Sequence, residues 1–199
     1  MCKEKEHYAM LENLIYKFVE NIGEYNNYTV NEIEQSKYSV KVIIYEVIKL
    51  ILILLIFSIL GYFRESILII FIMSITKPFI GGYHEETQLK CLTATLLLVF
   101  FIIYLSQNNI LSFKSSILLN LISIFSIYNQ APIINDKMPI TRKDLITKNR
   151  LIGLVNIIIL SILSIILFNI NWFSQIIVWT ILVQAILMFN KYNHKREGK

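Results

Sequence analysis

Charge is what this sequence has least of for its size. Asp, Glu, Lys and Arg together make up 17% of the 199 residues, against about 25% in an ordinary soluble domain. That shortage excludes a normally solvated surface. Cysteine is nearly absent, with only Cys2 and Cys91, so no disulfide framework is expected to brace the fold. The first 40 residues are polar and Glu-rich and lack the apolar core of a signal peptide, so the N-terminus is expected to remain in the mature protein. A clustered Asp motif of the kind a metal-dependent lipid transferase needs is also missing.

Apolar residues fill the space that charge leaves. They make up 55% of the chain, with a mean hydropathy of +0.58, and they come in blocks such as 50–63, 92–105 and 151–170. Crossing the hydrocarbon core takes about 20 helical residues. A spanning segment must also satisfy its own backbone hydrogen bonds, which leaves helices or a closed barrel. Continuous apolar runs rather than strict alternation select helices. The expected fold is an all-α polytopic membrane protein with about six spans, near 41–62, 65–80, 89–106, 110–128, 150–168 and 172–190.

Before the first span, Tyr8, Leu11, Leu14, Ile15, Phe18, Val19 and Ile22 recur at helical spacing, with Glu12, Lys17 and Glu20 between them. This is an amphipathic helix, ended by Gly23 and Asn26-Asn27. It has two natural places, along the cytoplasmic membrane surface or against the cytoplasmic loops. The expected organisation is therefore an N-terminal segment over 1–40, a membrane domain over 41–190 and a basic tail over 191–199.

Six spans return both termini to one side, and the charges test that map. The side receiving the termini, the 77–90 stretch and the 129–149 loop carries all Lys and Arg, boundary residues Lys41 and Arg150 included, except Lys49, Arg64 and Lys114. By the positive-inside rule that side is cytoplasmic. The net charge of +5 therefore reads as topology and lipid contact rather than nucleic-acid binding. In the 129–149 loop, Lys137, Arg142, Lys143 and Lys148 are available to an acidic partner or to anionic lipid.

Chemistry concentrates between the second and third expected spans, in Lys77-Pro-Phe-Ile-Gly-Gly-Tyr-His-Glu-Glu-Thr-Gln-Leu-Lys-Cys91. Gly81-Gly82 permits a sharp turn before His84. On one straight helix, His84 and Cys91 would stand about 10.5 Å apart along the axis. A turn leading into a late-starting helix would bring them together, and an imidazole beside a thiol can take its proton and later return it to a leaving amine. Glu85 or Glu86 could orient the ring, while Thr87 and Gln88 could donate to an oxyanion. The segment also begins like a zincin helix, but Gln88 stands where the second His ligand belongs. One His and one Cys are too few for zinc, and no metal or other cofactor is expected. On residue types alone the competing reading is plain: His84 is a loop residue and Cys91 a small apolar residue of a span.

Gly81-Gly82-Tyr83-His84, six further residues and then Cys91, on the basic side of a six-span chain of this length, resembles the accessory gene regulator B family of Gram-positive quorum-sensing endopeptidases. The resemblance implies that His84 and Cys91 form a catalytic dyad and that Gly82 is the glycine before its aromatic-His pair. Lys77 stands where the family often has Arg. Ala131-Pro132 at the start of the long loop is similar too, although Ile134 replaces a common acidic residue. The implied activity is a cysteine endopeptidase of the cell membrane that cuts the C-terminal tail from a precursor peptide of the accessory gene regulator D type. It would proceed through a thioester on Cys91 and promote ring closure to a thiolactone or lactone. An acidic precursor tail would suit Lys137, Arg142, Lys143 and Lys148. The family and the short second span also raise the expectation of a homodimer. The alternatives are a small carrier or peptide exporter, with Glu46 and Lys49 as the ionisable residues of its path, and a non-catalytic scaffold.

Overall fold

A computed structural model describes residues 16–23, 25, 28–81, 88–133 and 143–189, with the backbone alone at Gln88 and Lys143. Regular structure among them is helical: α1 over 16–23, α2 (Val30–Ile59), α3 (Phe63–Ile80), α4 (Gln88–Asn108), α5 (Phe113–Gln130), α6 (Lys143–Ile166) and α7 (Asn171–Phe189). The chain divides into two units, Met1–Leu52 and Ile53–Lys199.

In the first unit α2 begins at Val30 rather than near 41, because Thr29 and Glu32 cap it reciprocally. The Glu32 N–H donates to Thr29 Oγ1 at 3.4 Å, and the Thr29 N–H donates to the Glu32 carboxylate at 2.8 Å. The described part of the N-terminal amphipathic segment folds back along these first turns of α2. Val19 is buried, Gly23 lies against Ile33, and Lys37 pairs with Glu20 and sits 5.3 Å from the centre of the Tyr16 ring. Phe18, Ile22 and Tyr25 remain exposed. Further along α2, Lys49 is buried and paired with Glu46 one turn away. Each of these two charges thus has a partner of opposite sign within the apolar C-terminal half of α2.

The second unit is organised around α7, which packs against α3, α4, α5 and α6. Its sequence explains the position: Ile176, Ile177, Val178, Ile181, Val183 and Ala185 are buried on every side, as expected of a helix that is apolar all round. Its polar residues reach its neighbours. Gln184 Oε1 lies 2.9 Å from the Thr76 hydroxyl of α3, and Ser174 donates to the Ser164 carbonyl of α6 at 2.7 Å. With its amide turned to donate, Gln175 reaches the Asn109 carbonyl after α4 at 2.8 Å. Across α5 and α6, Asn120 donates to the buried Ser164 hydroxyl at 2.9 Å.

Among the described residues, four helices are long and apolar enough to cross a membrane: Val30–Ile59, Leu89–Asn108, Asp144–Ile166 and Asn171–Phe189. The other two, α3 and α5, have 18 residues each. Their sequences explain the difference. α3 carries Arg64, Glu65 and Lys77, while α5 contains Lys114, Asn120, Asn129 and Gln130. Helices stand at all six expected places, and four of them meet this standard. The fold is that of an all-α, multi-pass membrane protein.

The Thr76–Gln184 contact can be measured. Polar contacts between membrane helices contribute about 0.6 kcal/mol on average and at most about 1.7. Thr76→Val and Gln184→Leu should therefore each lower resistance to denaturing detergent, with a double-mutant coupling of about 0.5–1.5 kcal/mol. Strict additivity would show that the contact contributes nothing.

Candidate active site

Helix α3 runs through Pro78, which withholds a hydrogen bond from the preceding turn, and ends two residues later at Ile80. Gly81 then takes φ +76° while its N–H still bonds the Lys77 carbonyl at 2.9 Å. The turn expected here from the glycine pair is thus present at Gly81. Its reason is visible one strand-width away: Gly81 forms an isolated parallel β-bridge with Ile133, whose N–H donates to the Ile80 carbonyl at 3.0 Å. A Cβ on Gly81 would stand 2.2 Å from the Ile133 carbonyl oxygen, so only glycine admits the approach.

Ile133 lies just beyond α5, which closes with the Ala131 N–H on the Ile127 carbonyl at 2.8 Å. The Ala131–Pro132 peptide is cis. The far side of the long loop returns to the same place. Arg150 of α6 donates to the Tyr128 carbonyl at 2.7 Å, and its guanidinium lies 4.9 Å from the centre of the Tyr128 ring. Asn156 donates to the Ile75 carbonyl at 2.7 Å. Gly153 lets α6 press on the end of α3, since a Cβ there would come within 2.7 Å of Ile80 Cγ2. The end of α3, the exit from α5 and the entry to α6 are therefore tied together by main chain, arginine and small-residue packing.

Cys91 belongs to this end of the bundle. It is the fourth residue of α4, a half-buried thiol outside any disulfide, on a helix that packs against α3 and α7. Its carbonyl accepts from the Thr95 hydroxyl at 2.8 Å. Because α4 begins at Gln88, the cysteine stands in the first turn, where the leading backbone N–H groups lack helical acceptors.

Among the other residues singled out by sequence, Lys77 is half-buried in the last turn of α3, and Lys148 is exposed on α6. Gln88 and Lys143 open α4 and α6. His84, Gly82, Glu86, Lys137 and Arg142 lie outside the described residues, as do Glu85 and Thr87. Sequence reasoning missed the parts played by Ile133, Tyr128, Gly153 and Asn156. Gly153 alone left a trace, as a small residue inside an apolar helical run, the usual mark of close helix approach in membranes.

Fold and site together define a multi-pass helical membrane protein with a cysteine in the first turn of one helix, at the end where three neighbouring helix ends are tied. The chain belongs to the accessory gene regulator B family, whose model, described as "Accessory gene regulator B", matches residues 12–188. It is 50% identical over 165 residues to a Clostridium perfringens (strain 13 / Type A) protein named "Putative AgrB-like protein 1". The match covers 83% of this chain and 87% of that protein. No solved structure matches. Family membership supports a role in processing the peptide signal of accessory-gene-regulator quorum sensing.

The bridge at Gly81 makes a paired prediction. Gly81→Ala must break the approach to Ile133, whereas Gly61→Ala, at φ +82° with nothing within 4 Å, meets only the backbone cost of about 1–2 kcal/mol. Gly81→Ala should therefore lower peptide processing at least tenfold while Gly61→Ala stays within about threefold of the parent. Equal effects in a processing assay would show that the bridge does not hold the site.

Proposed function

We propose that this protein is a membrane-embedded cysteine endopeptidase that removes the C-terminal tail of an autoinducing-peptide precursor and promotes its cyclisation. The observation that carries this reading is Cys91 in the first turn of α4, separated from the tightly held Gly81 turn only by the segment containing His84. Family membership supports the same assignment. In this reading His84 takes the thiol proton, Cys91 Sγ attacks the scissile carbonyl, and the C–N bond breaks as the imidazolium returns the proton to the leaving amine. The precursor's N-terminal part is then held as a thioester. An internal thiol or hydroxyl of the same peptide attacks that carbonyl, releasing Cys91 and closing a thiolactone or lactone. A tethered nucleophile competes well with water because its effective molarity is high. Backbone N–H groups at the start of α4, with the Gln88 side chain, are candidates to bind the developing oxyanion. Glu86 is a candidate to orient the imidazole, and Gly82 and Lys77 to shape the turn before it.

The topology proposed with this chemistry has six spans over 41–190, preceded by a cytoplasmic segment over 1–40 and followed by a basic tail over 191–199. Lys77, Lys90, Lys148 and Arg150 flank the bundle end that carries Cys91, while Arg64, Glu65 and Lys114 mark the other. The positive-inside rule makes the first end cytoplasmic, where a newly made precursor is found. Lys137, Arg142, Lys143 and Lys148 would receive an acidic precursor tail. The carrier reading is weakened by its own best candidates, because Glu46 and Lys49 pair with each other within one helix turn.

Release of the tail from the precursor, followed with the reconstituted protein, tests this proposal. Cys91→Ala should abolish release, and His84→Ala should lower it by about 10²–10⁴-fold, the usual contribution of a general base. Full activity of Cys91→Ala would reject the cysteine mechanism. Reversing Lys137, Arg142, Lys143 and Lys148 to Glu should raise the KM for the precursor about tenfold with little change in kcat, since charge complementarity acts mainly on encounter and orientation. An unchanged KM would remove the tail contact and leave the dyad standing.

A further inference from the structure

At the end of the bundle away from Cys91, a groove of about 360 Å³ opens between the first turns of α3 and the start of α7. Its walls are apolar: Phe63, Ile67 and Phe71 on one side, Trp172 and Phe173 on the other, and the aliphatic stem of Arg64 at the α3 terminus, whose guanidinium lies outside the apolar groove. We propose that this groove seats a phospholipid of net negative charge, its phosphate on Arg64 and the upper part of an acyl chain between the aromatic walls.

Position and chemistry carry the assignment. Arg64, Ile67 and Phe71 recur on one face of α3, so the groove runs about 10 Å down the helix. It descends from a helix terminus, where headgroups sit, toward the hydrocarbon level of a multi-pass protein. Trp172 is placed as aromatic residues are at membrane interfaces, and it packs edge-on against Phe173 at 5.6 Å between ring centres. Arg64 is exposed in the first helical turn, where a cation is disfavoured by the helix dipole. A bound phosphate relieves that conflict and can take both prongs of the guanidinium. The adjoining Glu65 is half-buried and does not line the groove. A peptide would need backbone hydrogen-bonding partners that these walls do not offer, whereas an acyl chain needs none. The inference stands independently of the catalytic reading.

Trp172 supplies the test. The chain has two tryptophans, and the other, Trp179, has a buried ring N–H without a hydrogen-bond partner, so Trp179→Phe leaves Trp172 as the sole reporter and breaks no bond. The full chain carrying Trp179→Phe is reconstituted in equimolar phosphatidylglycerol and phosphatidylcholine, with brominated chains on one lipid or the other. Brominated phosphatidylglycerol should quench Trp172 with about fivefold preference, the selectivity expected from one basic residue near the surface. Arg64→Gln should equalise the two lipids, and Arg64→Lys should keep most of the preference. Equal quenching in the parent, a preference unchanged in Arg64→Gln, or no quenching by either lipid would overturn the proposal.

Discussion

The second unit depends on one set of interactions: the hydrogen bonds by which polar side chains of α7 reach the neighbouring helices. Apolar burial gives little net attraction between helices when lipid tails are as apolar as leucine. Specificity then falls to hydrogen bonds and close approach. Helix α7 meets both conditions, with Gln184 on α3, Ser174 on α6 and Gln175 at the end of α4. Thr76 and Gln184 stand at the same depth, each thirteen residues beyond its helix's first residue, so this one contact also fixes the vertical register of α3. From that register follow the height of Gly81 and the place where the chain turns toward α4.

The candidate active site inherits this rigidity. A short segment between α3 and α4 can position a base beside a thiol only if both its anchors are fixed, and each anchor has its own support. The Gly81 end is held by the Ile133 bridge and by α6 through Gly153 and Asn156. The Cys91 end is held by α4 packing on α3 and α7. Arg150, joining Tyr128 across the base of the long basic loop, keeps both feet of that loop near the same end.

Much of this was legible in the sequence because membrane helices announce themselves by composition. The blocks around 50–63, 92–105 and 151–170 gave the helices, and the Gly81-Gly82 pair gave a turn at the right residue. The short helices were harder. α3 and α5 carry the charges and amides that make span counting ambiguous, and in α5 Asn120 is buried on Ser164. Helix α2 extends ahead of the span expected near 41–62 because the Thr29–Glu32 cap lies in polar sequence, where hydropathy is silent. Contacts between distant segments, such as Gly81 with Ile133 or Arg150 with Tyr128, leave no local periodicity, so one sequence could not reveal them. The expectation that His84 and Cys91 act as a pair rests on motif resemblance, not on any pattern that composition imposes.

The most direct test of the central claim is the covalent intermediate itself. The protein, reconstituted in lipid with the precursor peptide, would be quenched in acid during turnover and its intact mass recorded. The account predicts a mass increase equal to the precursor without its tail, removed by neutral hydroxylamine and absent in Cys91→Ala. Turnover of the precursor with no such adduct, or an adduct that survives in Cys91→Ala, would contradict it.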